Sequence, residues 1–85
     1  MFNSRAADGH NGFHMTFANG YTVSVQFGSG NYCENRDGKK DRSSNAEIAA
    51  WDANGKWIQL DEHDDVLGWQ SADQVLAIMN RIAAL

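Results

Sequence analysis

Residues 13 to 27, FHMTFANGYTVSVQF, alternate apolar and polar side chains on both sides of an Ala-Asn-Gly tripeptide, and the alternation fixes how they pair. Phe13, Met15 and Phe17 share one face of a first strand; Tyr21, Val23, Val25 and Phe27 share one face of a second. A two-residue Asn-Gly turn pairs Ala18 with Tyr21 and throws the two apolar sets to opposite faces. A three-residue loop, Ala18-Asn19-Gly20, pairs Phe17 with Tyr21, Met15 with Val23 and Phe13 with Val25, so one face becomes wholly apolar. The three-residue loop is predicted, with Gly20 left-handed as its bulge residue.

The tripeptide returns in AEIAAWDANGKWIQL, residues 46 to 60. With Ala53-Asn54-Gly55 as the loop, Asp52 faces Lys56 as a cross-strand charge pair, Ala50 meets Ile58 and Ile48 meets Leu60. Trp51 lands opposite Trp57 on the other face. Further on, Ser71-Ala72-Asp73-Gln74 reads as a capping box, with Ser71 as N-cap. Asp73 suits the positive end of the helix dipole. Val75, Ile78, Met79, Ile82 and Leu85 recur at helical spacing. One apolar helix stripe and one apolar sheet face should bury each other. The expected fold is α+β: a four-stranded antiparallel sheet of two hairpins, with one C-terminal helix packed on one face. Residues 1–12 are expected as a flexible N-terminal arm and 13–85 as a single domain.

The opposite face of that sheet carries His14, Thr16, Thr22, Ser24 and Gln26 from the first hairpin, and Glu47, Ala49, Trp51, Trp57 and Gln59 from the second. Adjacent tryptophans on such a face call for a cover or a partner. Cover by a second copy or by the long loop is the expected arrangement.

At 85 residues the chain buries only roughly 60–65% of its unfolded surface on folding, so a homo-oligomer is expected. The net charge of −4 argues against indiscriminate nucleic-acid binding, and no direct nucleic-acid partner is expected. No run reaches membrane-spanning length and MFNSRAADGHNG contains no apolar signal core, so neither a membrane partner nor a leader is expected and the compartment is expected to be cytoplasmic. Cys33 is the single cysteine, which excludes an intrachain disulfide and suggests a buried or half-buried thiol. No cofactor or metal is expected.

Gly28 to Asn45 is almost devoid of apolar residues, yet it holds four of the seven Lys and Arg side chains: Arg36, Lys39, Lys40 and Arg42. Unstructured loops longer than about 12–15 residues are uncommon in compact domains. GSGNYC resembles a phosphate loop only in its glycines. Cys33 stands where a dinucleotide fold needs its third glycine and no helix pattern follows, which leaves at most a small anion nest near Gly28 to Asn31. The basic side chains beside Asn31, Tyr32 and Asn35 have the chemistry to clamp a phosphate while an aromatic ring stacks on a base. DEHDD brings Asp61, Glu62, Asp64 and Asp65 around His63 without calcium-loop spacing, and it reads first as a solvated acidic loop. His10 and His14 are four apart, but Gly12 between them and the strand pattern from Phe13 argue against a helical metal pair. No Ser/His/Asp set or catalytic carboxylate pair can be assigned, so the protein is expected not to be an enzyme.

FANGYTVSVQFGSGNYCENRD, then AEIAAWDANGKWI, then DDVLGWQSADQVLAIMNRIA together resemble a group of short proteins encoded by tailed phages and prophages. The resemblance spans most of residues 13 to 85. It implies a phage accessory protein rather than a virion part, of the class that antagonises host antiviral defence, Thoeris anti-defence-like or anti-CRISPR-like. Two functions follow as expectations. In the first, the protein sequesters a small nucleotide-like signal through Asn31, Tyr32, Asn35, Arg36, Lys39, Lys40 and Arg42. In the alternative, it docks on a host defence protein complex, with Trp51 and Trp57 as anchor and Asp61, Glu62, Asp64 and Asp65 imitating nucleic-acid phosphates.

Overall fold

The structure is a computed structural model that describes residues 1–3 and 11–85. Its elements are β1 (Phe2–Asn3), β2 (Gly12–Thr16), β3 (Thr22–Gln26), β4 (Arg42–Ser43), β5 (Asn45–Trp51), β6 (Val66–Ser71) and α1 (Ala72–Ala83). A four-stranded antiparallel sheet has the order β2-β3-β5-β6, and β1 and β4 form a separate small pair. The fold is α+β, with the helix against the sheet.

The first hairpin closes as the alternation requires. Phe13 pairs with Val25 and Met15 with Val23. Phe17 N–H donates to Tyr21 O at 2.8 Å, and Gly20 has φ +88°. The next strand adds Ala50 beside Val23 and Ile48 beside Val25. These four side chains are fully buried and, with Phe27, Cys33, Ala46, Leu60, Val75, Ile78 and Ile82, make the core. Burying a Val or Ile side chain completely is worth about 1.5–3 kcal/mol, so the β3/β5 centre is the main apolar anchor.

The second hairpin turns as expected and then departs. Asp52 N–H donates to Lys56 O at 2.9 Å and Gly55 has φ +80°. Trp51 bridges to Trp57, and Ile58 N–H reaches Ala50 O at 3.0 Å. No ladder follows. Leu60 and Asp61 both donate their N–H to Asp64 O, and the Asp61 carboxylate accepts from His63 and Asp64 N–H. Arg81 donates to Leu60 O at 2.8 Å and ties this tight acidic turn to the helix. Ile48 therefore pairs with Leu67, not with Leu60, and the fourth strand is β6 rather than residues 56–60. The Asp52–Lys56 charge pair is also replaced. The carboxylate of Asp52 accepts from Asn54 and Lys56 backbone N–H, both at 2.9 Å.

The capping box forms as read, with Gln74 N–H donating to Ser71 Oγ and Ser71 N–H to Gln74 Oε1. Val75, Ile78 and Ile82 are buried and Met79 is partly so, whereas Leu85 is exposed. The helix packs over β3, β5 and β6. Strand β2 is exposed along its whole length, so Phe13 and Met15, expected beneath the helix, stand uncovered at 40% and 41% exposure. The wholly apolar face is thus only partly roofed.

Part of the segment expected as an arm is strand. Phe2 pairs with Ser43 and Asn3 with Arg42, and the Phe2 ring lies 5.6 Å from that of Phe27. Asn11 is buried and its carbonyl accepts from Phe27 N–H. The rest of that expectation, and His10 with it, falls on residues 4–10, outside the described residues.

Candidate functional site

On the face away from α1, register places side chains in rows. Gln26 lies beside Glu47, Ser24 beside Ala49 and Thr22 beside Trp51, with His14 and Thr16 continuing the last two rows onto β2. Ser24 and Ala49 form a small, buried floor. At one end of it the Trp51 and Trp57 rings lie 5.6 Å apart, and His14 meets Trp51 edge-on at 5.1 Å. Thr16 and Thr22 share a hydroxyl hydrogen bond of 2.8 Å beside them.

The other end is built by two local devices. Tyr32 is held over β5 because its N–H donates to the Glu47 carboxylate at 2.9 Å. Between Ala46–Gln70 and Ile48–Leu67 the register shifts, so Gly68 and Trp69 together oppose Glu47. This bulge gives Trp69 a φ of +51°, in the left-handed region that costs a non-glycine residue about 1–3 kcal/mol. The bulge brings Trp69 N–H to Tyr32 O at 2.8 Å, and the two rings stack at 5.6 Å and 29°. Gly68 is required there, since a Cβ would meet the Tyr32 Cβ at 2.6 Å. Arg36 covers Tyr32, with its guanidinium carbon 4.8 Å from the ring centroid. Trp57, Trp69 and Tyr32 remain about half exposed. The rise of a strand separates the two clusters by about 13 Å along β5.

The long loop is tied together by its own polar groups. Gly28 N–H donates to Asn31 Oδ1, Gly30 N–H to Arg36 O and Asn31 N–H to Gly28 O, so three of the four donors of the anion nest considered at Gly28 to Asn31 are occupied internally. Asn35 is buried. Its amide donates to Phe27 O and Lys40 O and accepts from Lys40 N–H, which makes it the loop's internal brace. Glu34 accepts from both the hydroxyl and the backbone N–H of Ser44, which together hold its carboxyl below the usual range, with Lys40 and Arg42 assisting.

Of the residues expected to clamp a nucleotide, only Tyr32 and Arg36 stand together on the aromatic face. Lys40 and Arg42 open instead onto a hollow shared with Met1, Glu34, Asp37 and Ser44, where acidic groups offset them. Lys39 is exposed beside Asp37, whose carboxylate accepts its N–H. Of the residues expected to meet a protein partner, Trp51 and Trp57 form one cluster. Asp61 and Glu62 border a separate hollow with Leu60, Arg81, Ile82 and Leu85 at the end of α1, and Asp64 and Asp65 are exposed. Backbone N–H donors from His63 and Asp64 hold the Asp61 carboxyl below its ordinary value.

Trp69 is the functional candidate that sequence reasoning missed. It follows DEHDD in a stretch to which the sequence reading assigns no strand, although Val-Leu-Gly-Trp is a short apolar run whose glycine permits a close backbone approach. Among the described residues no three His, Cys, Asp or Glu side chains converge as a metal site, and no helix is long and apolar enough to cross a membrane. Comparison with protein-family models, with curated proteins and with solved structures finds no match to this chain. The fold and site define a small α+β domain with a two-cluster aromatic face.

Proposed function

We propose that the protein is a phage-encoded, non-enzymatic antagonist of bacterial antiviral defence that acts inside the infected cell by docking its aromatic face on a host protein. The observation that carries the reading is the strained bulge that stacks Trp69 on Tyr32, on the same face as Trp51 and Trp57. Trp, Tyr and Arg dominate binding hot spots, and here they stand half exposed over a floor of small residues. A backbone conformation that costs energy in order to present an indole to solvent fits recognition better than packing. The phage origin rests on the sequence resemblance.

The Tyr32–Trp69–Arg36 stack also favours a second reading, capture of a nucleotide-like signal by base stacking, worth about 1–3 kcal/mol per base. One experiment separates the two. Cells carrying a defined defence system are challenged with phage while expressing wild type, Trp51→Ala or Trp69→Ala. Docking predicts copurification with a component of that system, weakened at least about 30-fold by either substitution, as for a hot spot of ~2 kcal/mol. Capture predicts a rise in melting temperature with adenine-containing cyclic nucleotides that Arg36→Ala and Trp69→Ala remove and Trp51→Ala leaves intact. Absence of defence relief in every system tested would exclude both.

A further inference from the structure

The two edges of the four-stranded sheet are treated differently. On β6 the bulge breaks the edge and Tyr32 O occupies Trp69 N–H. On β2 nothing among the described residues pairs with the outer edge. That strand, Gly-Phe-His-Met-Thr, has no Asp, Glu, Lys or Arg, no proline and no bulge, three of the devices by which natural edges avoid adding another strand. From Asn11 to Cys33 the sequence contains no Asp, Glu, Lys or Arg at all, although the chain as a whole is 21% charged. In a protein of net charge −4, this hairpin is a surface on which a second copy would meet no Asp, Glu, Lys or Arg side chain.

The ladder sets the geometry of such a meeting. Phe17 and Tyr21 are hydrogen-bonded partners, as are Asn11 and Phe27, so by alternation Phe13 and Met15 direct their backbone groups at β3. Gly12, His14 and Thr16 direct theirs outward. We propose that β2 pairs antiparallel with β2 of a second copy about a two-fold axis at His14, joining two four-stranded sheets into one of eight strands. In that register Gly12 exchanges backbone hydrogen bonds with the second copy's Thr16, and His14 with the second copy's His14. Phe13 then faces the second copy's Met15 on the helix side, and both pairs cover side chains left 40% and 41% exposed in the single chain. The two aromatic faces fall on the same side of the joined sheet. The pairing is independent of what those faces bind.

Sedimentation and light scattering at roughly 100 µM, enough to populate a complex of micromolar dissociation constant, give a dimer for the wild type. Met15→Lys and Phe13→Glu each give monomers with unchanged helical circular dichroism. Mixing the two restores a dimer, because the lysine introduced in one copy then faces the glutamate introduced in the other. Amide exchange at Gly12, His14 and Thr16 is slow in the wild type and fast in each variant alone. A monomeric wild type, a dimer that survives both single substitutions, or a mixture that stays monomeric would each overturn the pairing.

Discussion

The protein uses the tripeptide Ala-Asn-Gly twice, and the two copies do different work. Both turns put glycine in the left-handed region and close with the same backbone hydrogen bonds. In the first, Asn19 reaches out of its turn. Its amide lies 2.9 Å from the carbonyl of Ile82, 3.2 Å from that of Leu85 and 3.3 Å from that of Ala83, so a hairpin loop donates to the carbonyls at the end of the helix. Asn19 Oδ1 also accepts from Tyr21 N–H. In the second, Asn54 is exposed, and the organising side chain is Asp52, which accepts from the turn's own N–H groups. A turn sequence therefore specifies a local bend. Whether the bend also carries tertiary structure depends on what folds up beside it.

Exchanging residues between the two turns breaks that comparison open. The largest effect is expected at Asn19→Ala, which loses the donations to the helix-end carbonyls and the bond from Tyr21 N–H and, at about 0.5–1.5 kcal/mol per bond, costs about 1–3 kcal/mol, against a few tenths for Asn54→Ala; urea unfolding of the two variants checks this. Next come the glycines. Gly20→Ala and Gly55→Ala each lose roughly 1–2 kcal/mol to a left-handed alanine. Gly20→Ala is expected to be the worse, since its Cβ would stand 3.1 Å from that of Ala53 while that of Gly55 meets nothing. Adding Ala53→Gly to Gly20→Ala should erase the difference in melting temperature, and failure to do so would assign the excess to the backbone.

The smallest effect is acid sensitivity. Each hairpin leads into a loop organised by a carboxylate, Glu34 after the first and Asp61 after the second, and both have folded-state values below their ordinary ones. Such a group binds its proton more readily when unfolded. Its contribution is full above the unfolded value and disappears as pH falls through the lower folded one. A small loss of stability is therefore expected below about pH 4, and Glu34→Gln should flatten the part due to Glu34 in a pH series of melting temperatures.

What could be read from sequence was what is decided locally. The register of β2 on β3 followed from the alternation of Phe13, Met15, Val23 and Val25, and the helix start from Ser71 and Gln74. The fourth strand was not legible, because two segments competed for the same side of β5. Residues 56–60 had the turn in their favour, yet the acidic turn pulled them toward Arg81, and Val66–Ser71 filled the place. Proximity along the chain lost to a contact made across it. The stack of Trp69 on Tyr32 was hidden for a related reason. One extra residue in a strand sends a side chain where strict alternation would not, and a carboxylate 15 residues away fixes its companion Tyr32. Inside the long loop the sequence suggested Asn35 as a ligand contact, whereas the direction of its amide, into the loop, is a property of the folded chain.

The Trp51–Trp57 pair gives the molecule an optical signature of its own. Two indoles held 5.6 Å apart and inclined at 34° share their excited states, so they should contribute an exciton couplet to circular dichroism that exists only while that hairpin is closed. The second hairpin thereby reports its own closure, without a dye and without altering a residue.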